Sequence, residues 1–153
     1  MAYLKKNIII LFLIAALIVL SAAVLLAWRL TAPPITLVEI DQQTIRAETA
    51  NNPLAQYRGL SDRPSLCLNC GMLFNFSDLQ DREFVMRDMK FPLDIIFIAN
   101  DRIIKIAADL PPEGDKPSHI YKSDGPADKV LEVSGGYAAQ KGIAVGDRVL
   151  INQ

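Results

Sequence analysis

Residues 94–106 read Asp94-Ile95-Ile96-Phe97-Ile98-Ala99-Asn100-Asp101-Arg102-Ile103-Ile104-Lys105-Ile106. Isoleucine and phenylalanine favour a pleated, half-buried surface. Asn100 and Asp101 tolerate the left-handed backbone that a two-residue hairpin loop demands. The stretch therefore reads as two antiparallel strands joined by a tight turn. A lone hairpin is marginal in water, so its apolar residues call for further strands. Short β-branched or aromatic segments bounded by turn residues supply them at 35–40, 44–48, 72–76, 83–86, 129–133 and 148–151. Two short helices interrupt the series. One, at 53–57, has Asn52 as N-cap and Pro53 in its first turn; the other, at 138–141, is ended by Gly142. Many short strands with few helices make the fold class mainly β, a sandwich or a barrel. The stretch 109–126 is rich in Pro, Gly, Asp and Lys and reads as a long loop, either functional or a disordered insertion.

The composition is 51% hydrophobic, and the excess lies at one end. From Ile8 to Trp28 only Ser21 interrupts an apolar run. At about 1.5 Å per residue this run measures about 31 Å as a helix, close to the roughly 30 Å of a bilayer core. Residues 8–28 are therefore expected to be a transmembrane anchor helix with the lipid bilayer as partner. Trp28 takes the place of an interfacial aromatic. A cleaved signal peptide is the alternative, with Lys5 and Lys6 as basic region and Ser21-Ala22-Ala23 as small residues. The two lysines before the run, against Arg29 alone close behind it, put residues 1–7 in the cytoplasm. Thr31-Ala32-Pro33-Pro34 ends a 29–34 linker that cannot continue a helix. Residues 35–153 then form one extracytoplasmic domain of a single-pass plasma-membrane protein. Setting aside Lys5 and Lys6, 14 basic residues face 17 acidic ones, a formal charge of about −3 that argues against nucleic acid as a partner.

Cys67-Leu68-Asn69-Cys70 is the one reactive-looking motif. Its spacing suits a local disulfide in an oxidising compartment, or two idle thiols where exported proteins are not oxidised. A metal centre lacks ligands, since His119 is the sole histidine, and a thioredoxin-like role lacks the helix that should follow the motif. No metal and no cofactor is expected, for no nucleotide loop or haem motif is present. Asp94 enters an apolar strand, where a buried carboxylate must be paired or hydrogen-bonded. Arg58, Arg63 or backbone amides are its candidate partners, and Arg87 and Asp88 lie close in sequence.

These motifs line up in order: Arg58-Gly59-Leu60 with Arg63, Gly71-Met72-Leu73-Phe74, Phe84-Val85-Met86-Arg87, Pro92-Leu93-Asp94-Ile95, Val130-Leu131-Glu132-Val133, and Gly142-Ile143-Ala144-Val145-Gly146-Asp147-Arg148-Val149. In that order they resemble the domain of unknown function 192 family over nearly all of residues 43–151. The resemblance implies a mainly β, jelly-roll-like fold, often exported or anchored, with no established biochemical role. Its marked polar positions fall on Arg58, Arg63 and Asp94, with Met86 and Arg87 where a methionine and a basic residue are usual. Asp88 stands where the family commonly has asparagine.

Two expectations follow. The first is a non-catalytic binding or accessory module with a polar pocket at Arg58, Arg63, Arg87, Asp88 and Asp94, serving an unknown ligand or membrane protein partner. The second is an enzyme of unknown reaction working through Cys67 and Cys70 or through Asp88 and Asp94.

Overall fold

The computed structural model describes the backbone of residues 2–31 and 33–152, and the side chains of residues 11–25 and 33–152. The chain divides into two compact units at Pro33 and Pro34. The first holds α1, Ala2–Thr31, which runs beyond the end of the apolar stretch at Trp28. Its described side chains from Leu11 to Leu25 are all exposed, and Ser21 Oγ donates to the Ile18 carbonyl at 2.8 Å, so that hydroxyl is satisfied within the helix. Among the described residues no helix is long and apolar enough to cross a membrane. The expected span at 8–28 lies in part outside them, since the side chains of 8–10 and 26–28 are not described.

The second unit is one curled sheet of seven strands: β1 Ile35–Ile40, β2 Gln43–Ala50, β3 Cys70–Phe84, β4 Leu93–Ala99, β5 Arg102–Leu110, β6 Tyr121–Ser134 and β7 Val149–Asn152. Their order is β5-β4-β6-β3-β2-β1-β7. Every neighbouring pair is antiparallel except β2 and β3, which run parallel and therefore need a crossover. The crossover contains α2, Pro53–Arg58. Asn52 caps it by accepting from the Ala55 amide at 2.9 Å, and Gly59 ends it at φ 51° and ψ −134°, a positive-φ backbone that glycine adopts without strain. At the sheet edges Arg102 bridges to Arg148, and the Val149 amide donates to the Asp101 carbonyl at 2.9 Å. The sheet is thus a half-barrel that meets itself at one end. Of a sandwich and a barrel, this single sheet is the barrel-like form, and its parallel pair has no counterpart in the antiparallel sheets of a jelly roll.

Asn100 and Asp101 adopt φ 49° and 59°, as the β4–β5 hairpin requires. The expected strand at 72–76 and the first two residues of that at 83–86 are instead parts of the single long β3, which stays paired to β6 through two register shifts, while Val85 and Met86 lie beyond its end. The loop expected at 109–126 is shorter, because β5 runs on to Leu110 and β6 begins at Tyr121. From Leu93 to Ile98 every residue of β4 is buried, so both faces of the sheet are covered. Ile96 and Ile98 join Val38, Leu73 and Leu131 on one face, under α3, Tyr137–Lys141. Ile95 and Phe97 join Met72, Phe74, Val130 and Leu60 on the other, beneath the α2 crossover.

Candidate functional site

The sheet register places Glu48 of β2 beside Met72 of β3, Met72 beside Glu132 of β6, and Glu132 beside Ile95 of β4. One row of the crossover-covered face therefore carries two carboxylates among apolar neighbours. Glu48 is neutralised by Arg63, whose guanidinium donates to both of its oxygens at 2.6 Å, a bidentate geometry that holds the Glu48 carboxyl below its usual range and raises Arg63. Glu132 has no such partner. It is 4% exposed, and its Oε2 has no hydrogen-bond partner among the described residues. Burial pushes its carboxyl up to about 8, opposed by the positive charge of Arg63.

Glu132 lines a cleft of about 570 Å³. A Cβ on Gly59 would stand 3.6 Å from Glu132 Oε2 and 3.6 Å from Phe74 Cζ, so the end of α2 lies directly over the carboxyl. Apolar walls come from Leu60, Phe74, Phe76, Phe84 and Met89. Phe84 is fixed edge-on between Phe74, at 4.9 Å, and Phe97, at 5.9 Å. Arg58, Arg82 and Arg87 bring positive charge to the lining, and Asp81 and Glu83 negative. Arg82 is held by Asp78 and the Ala127 carbonyl over the Phe76 ring; Arg87 donates to the Tyr57 carbonyl at 2.6 Å and stacks on the Tyr57 ring. Glu83 pairs with Lys122.

The residues expected to share a pocket fall into three places. Arg58, Arg87 and Asp88 come together with Asp62 and Asp115 around a recess of about 430 Å³ that shares Tyr57, Arg58, Ser61 and Arg87 with the larger cleft. Asp88 sits at φ 53°, a left-handed conformation that both aspartate and asparagine tolerate. Arg63 lies with Glu48, as described. Asp94 lines neither cavity. Its Oδ1 accepts from the amides of Asp109 at 2.7 Å and Gly136 at 2.8 Å, and its Oδ2 from that of Ala138 at 2.8 Å. Of the partners considered for it, backbone amides are the ones it has, and it ties the end of β5 to the start of α3. Cys67 and Cys70 form a disulfide with a Cα–Cα distance of 5.2 Å, in the turn entering β3, beside a second cleft lined by Gly135, Gly136, Tyr137 and Gln140.

Glu132 itself was missed as a site by sequence reasoning, although it stands in the quoted run Val130-Leu131-Glu132-Val133. The signal was available: a carboxylate inside an apolar strand, the same pattern that singled out Asp94.

Fold and cleft together define a small single-sheet β domain with a buried acid beneath a helix end. The chain belongs to the domain of unknown function 192 family, described as Uncharacterized ACR, whose model matches residues 36–151. Among curated proteins none matches the chain. Two crystal structures are similar to it. One is a protein of unknown function from Novosphingobium aromaticivorans DSM 12444, 34% identical with a TM-score of 0.73, the match covering 78% of this chain and 87% of that one. The other, from Sinorhizobium meliloti 1021, carries a name that proposes a transcription-regulator role; it is 27% identical with a TM-score of 0.74, covering 79% of this chain and 96% of that one.

Proposed function

We propose that this chain is a membrane-tethered, extracytoplasmic binding module, non-catalytic, whose ligand enters the cleft over Glu132. The observation that carries the binding reading is the Glu132 carboxyl, almost wholly buried, with its Oε2 unpartnered among the described residues, in the lining of an open cleft with apolar walls. An unsatisfied buried polar group costs free energy unless a ligand or water completes it. The tether is supported by the apolar run of residues 8–28 and the lysines before it. A carboxylate-pair enzyme is less well served, because both Asp94 oxygens are taken by three backbone amides. The acidic balance of the domain gives a nucleic-acid role no electrostatic footing.

A fragment library screened against the full chain in detergent micelles by ligand-observed NMR tests the site. Binders are expected that Glu132→Leu abolishes while its circular dichroism is unchanged; a screen with no Glu132-dependent binder overturns the reading. Alkaline carbonate extraction tests the tether. The chain is expected to stay with the membrane pellet, and its release would remove the anchor from the account.

A further inference from the structure

Around Glu132 the charges are of both signs and most are already paired. Glu48 on β2 is fully engaged by Arg63 from the α2–β3 connection. On β3 the cleft carries Asp81, Arg82 and Glu83; Arg58 comes from α2, Arg87 from the segment after β3, and the β4 neighbour Ile95 is uncharged. Arg63 is the positive charge felt by the carboxyl itself, while the cleft lining adds the guanidinium groups of Arg58, Arg82 and Arg87, with Asp62, Asp88 and Asp115 in the adjoining recess. Of these four guanidinium groups, that of Arg58 has no ion pair or hydrogen bond among the described residues. An oxyanion in the cleft would give the Arg58 guanidinium the partner it lacks.

We propose that the cleft binds a small organic acid with an apolar body, its oxyanion accepting a hydrogen bond from the Glu132 carboxyl and its charge balanced by Arg58. This rests on the binding reading above and gives it a ligand class. Phe74, Phe76, Phe84, Leu60 and Met89 receive the apolar body. With its carboxyl raised to about 8 by burial, Glu132 keeps its proton at neutral pH and can donate it in a hydrogen bond. A hydrogen bond from a carboxylic acid to an ionised oxygen is short and strong, and a buried, dry position strengthens it further. Once Glu132 ionises, two carboxylates face each other and the contact turns repulsive.

Benzoate, an anion throughout the range used, is the probe; benzylamine is its cationic counterpart. Both are titrated onto the full chain in detergent micelles at pH 7 and pH 9, with ligand-observed NMR as readout. Benzoate is expected to bind the wild type at pH 7 and about tenfold more weakly at pH 9, as the Glu132 proton is lost. Glu132→Gln, whose amide still donates, should bind benzoate about equally at both values. Glu132→Leu should not bind it. Retained benzoate binding in Glu132→Leu, or a wild-type affinity that is the same at both values, overturns the proposal. Glu132-dependent binding of benzylamine in place of benzoate overturns the ligand class and leaves the cleft reading standing, whereas no Glu132-dependent binding of any fragment overturns both.

Discussion

Replacing Glu132 with glutamine should make the domain more stable, and increasingly so as pH rises. The unfolded chain releases this proton near 4.5, while the folded chain holds it to about 8. Between those values only the folded state keeps the proton, so wild-type stability falls as pH rises through that window. Each pH unit corresponds to at most about 1.4 kcal/mol, which sets a ceiling of about 5 kcal/mol over the whole window. Glutamine carries no charge at any pH and has nearly the same shape. The stability difference between Glu132→Gln and wild type should therefore be small at pH 5 and reach roughly 3–5 kcal/mol by pH 8.5. The assay is urea unfolding of the full chain in mild detergent at pH 5, 6.5 and 8.5, followed by near-ultraviolet circular dichroism. A difference that stays flat across the three values would refute the reasoning, because it would mean that the carboxyl ionises alike in the folded and unfolded states.

Three other perturbations test separate parts of the structure. Asp94→Asn turns one acceptor oxygen into an NH₂ group facing backbone donors, and should lower stability by roughly 2–4 kcal/mol in the same urea assay; an unchanged midpoint would show that the three amide bonds matter little. Arg63→Ala removes the one positive charge that opposes desolvation at Glu132, so the Glu132 carboxyl should titrate above its wild-type value when followed by ¹³C NMR. In the 111–120 loop, Glu113 accepts from Ser118 and hydrogen-bonds His119, contacts led by His119 that lower its carboxyl to about 2. Its contribution is present above about 4.5 and is lost as pH falls toward 2, so the protection factors of the Ser118 and His119 amides, measured against their intrinsic exchange rates at each pH, should fall in that window and stay level just above it.

What could be read from the chain itself was what short-range chemistry decides. Asn100 and Asp101 turn because their own side chains tolerate the left-handed backbone, and Asn52 and Pro53 start a helix because cap and first turn are neighbours in sequence. The β3 ribbon was not legible as one strand, since residues 77–82 are mostly exposed and polar and show no alternation, being held by their pairing with β6. Nor was the parallel β2–β3 pair, which depends on the crossover rather than on either strand's residues. Asp94 was recognised as a carboxylate in need of partners, but that these would be the amides of Asp109, Gly136 and Ala138 depended on distant loops. Arg63 likewise drew attention without its partner, because Glu48 reaches it only once β2 and the crossover are folded together. Glu132 is a related case. Its apolar flanks are visible in the sequence, but the burial that makes its one charge matter comes only from the α2 end and β3 packing over it.

A proton-bearing carboxyl with one oxygen unpartnered at the lining of an open cleft is what the binding reading requires, and the side-chain ¹³C resonance of Glu132 reports on it directly. Titrated in the full chain with no ligand present, that resonance should show its midpoint near 8 and shift when benzoate is added at neutral pH. A midpoint near 4.5 would mean that the carboxylate is hydrated or paired in the folded protein, and would contradict both the site and the ligand class assigned to it.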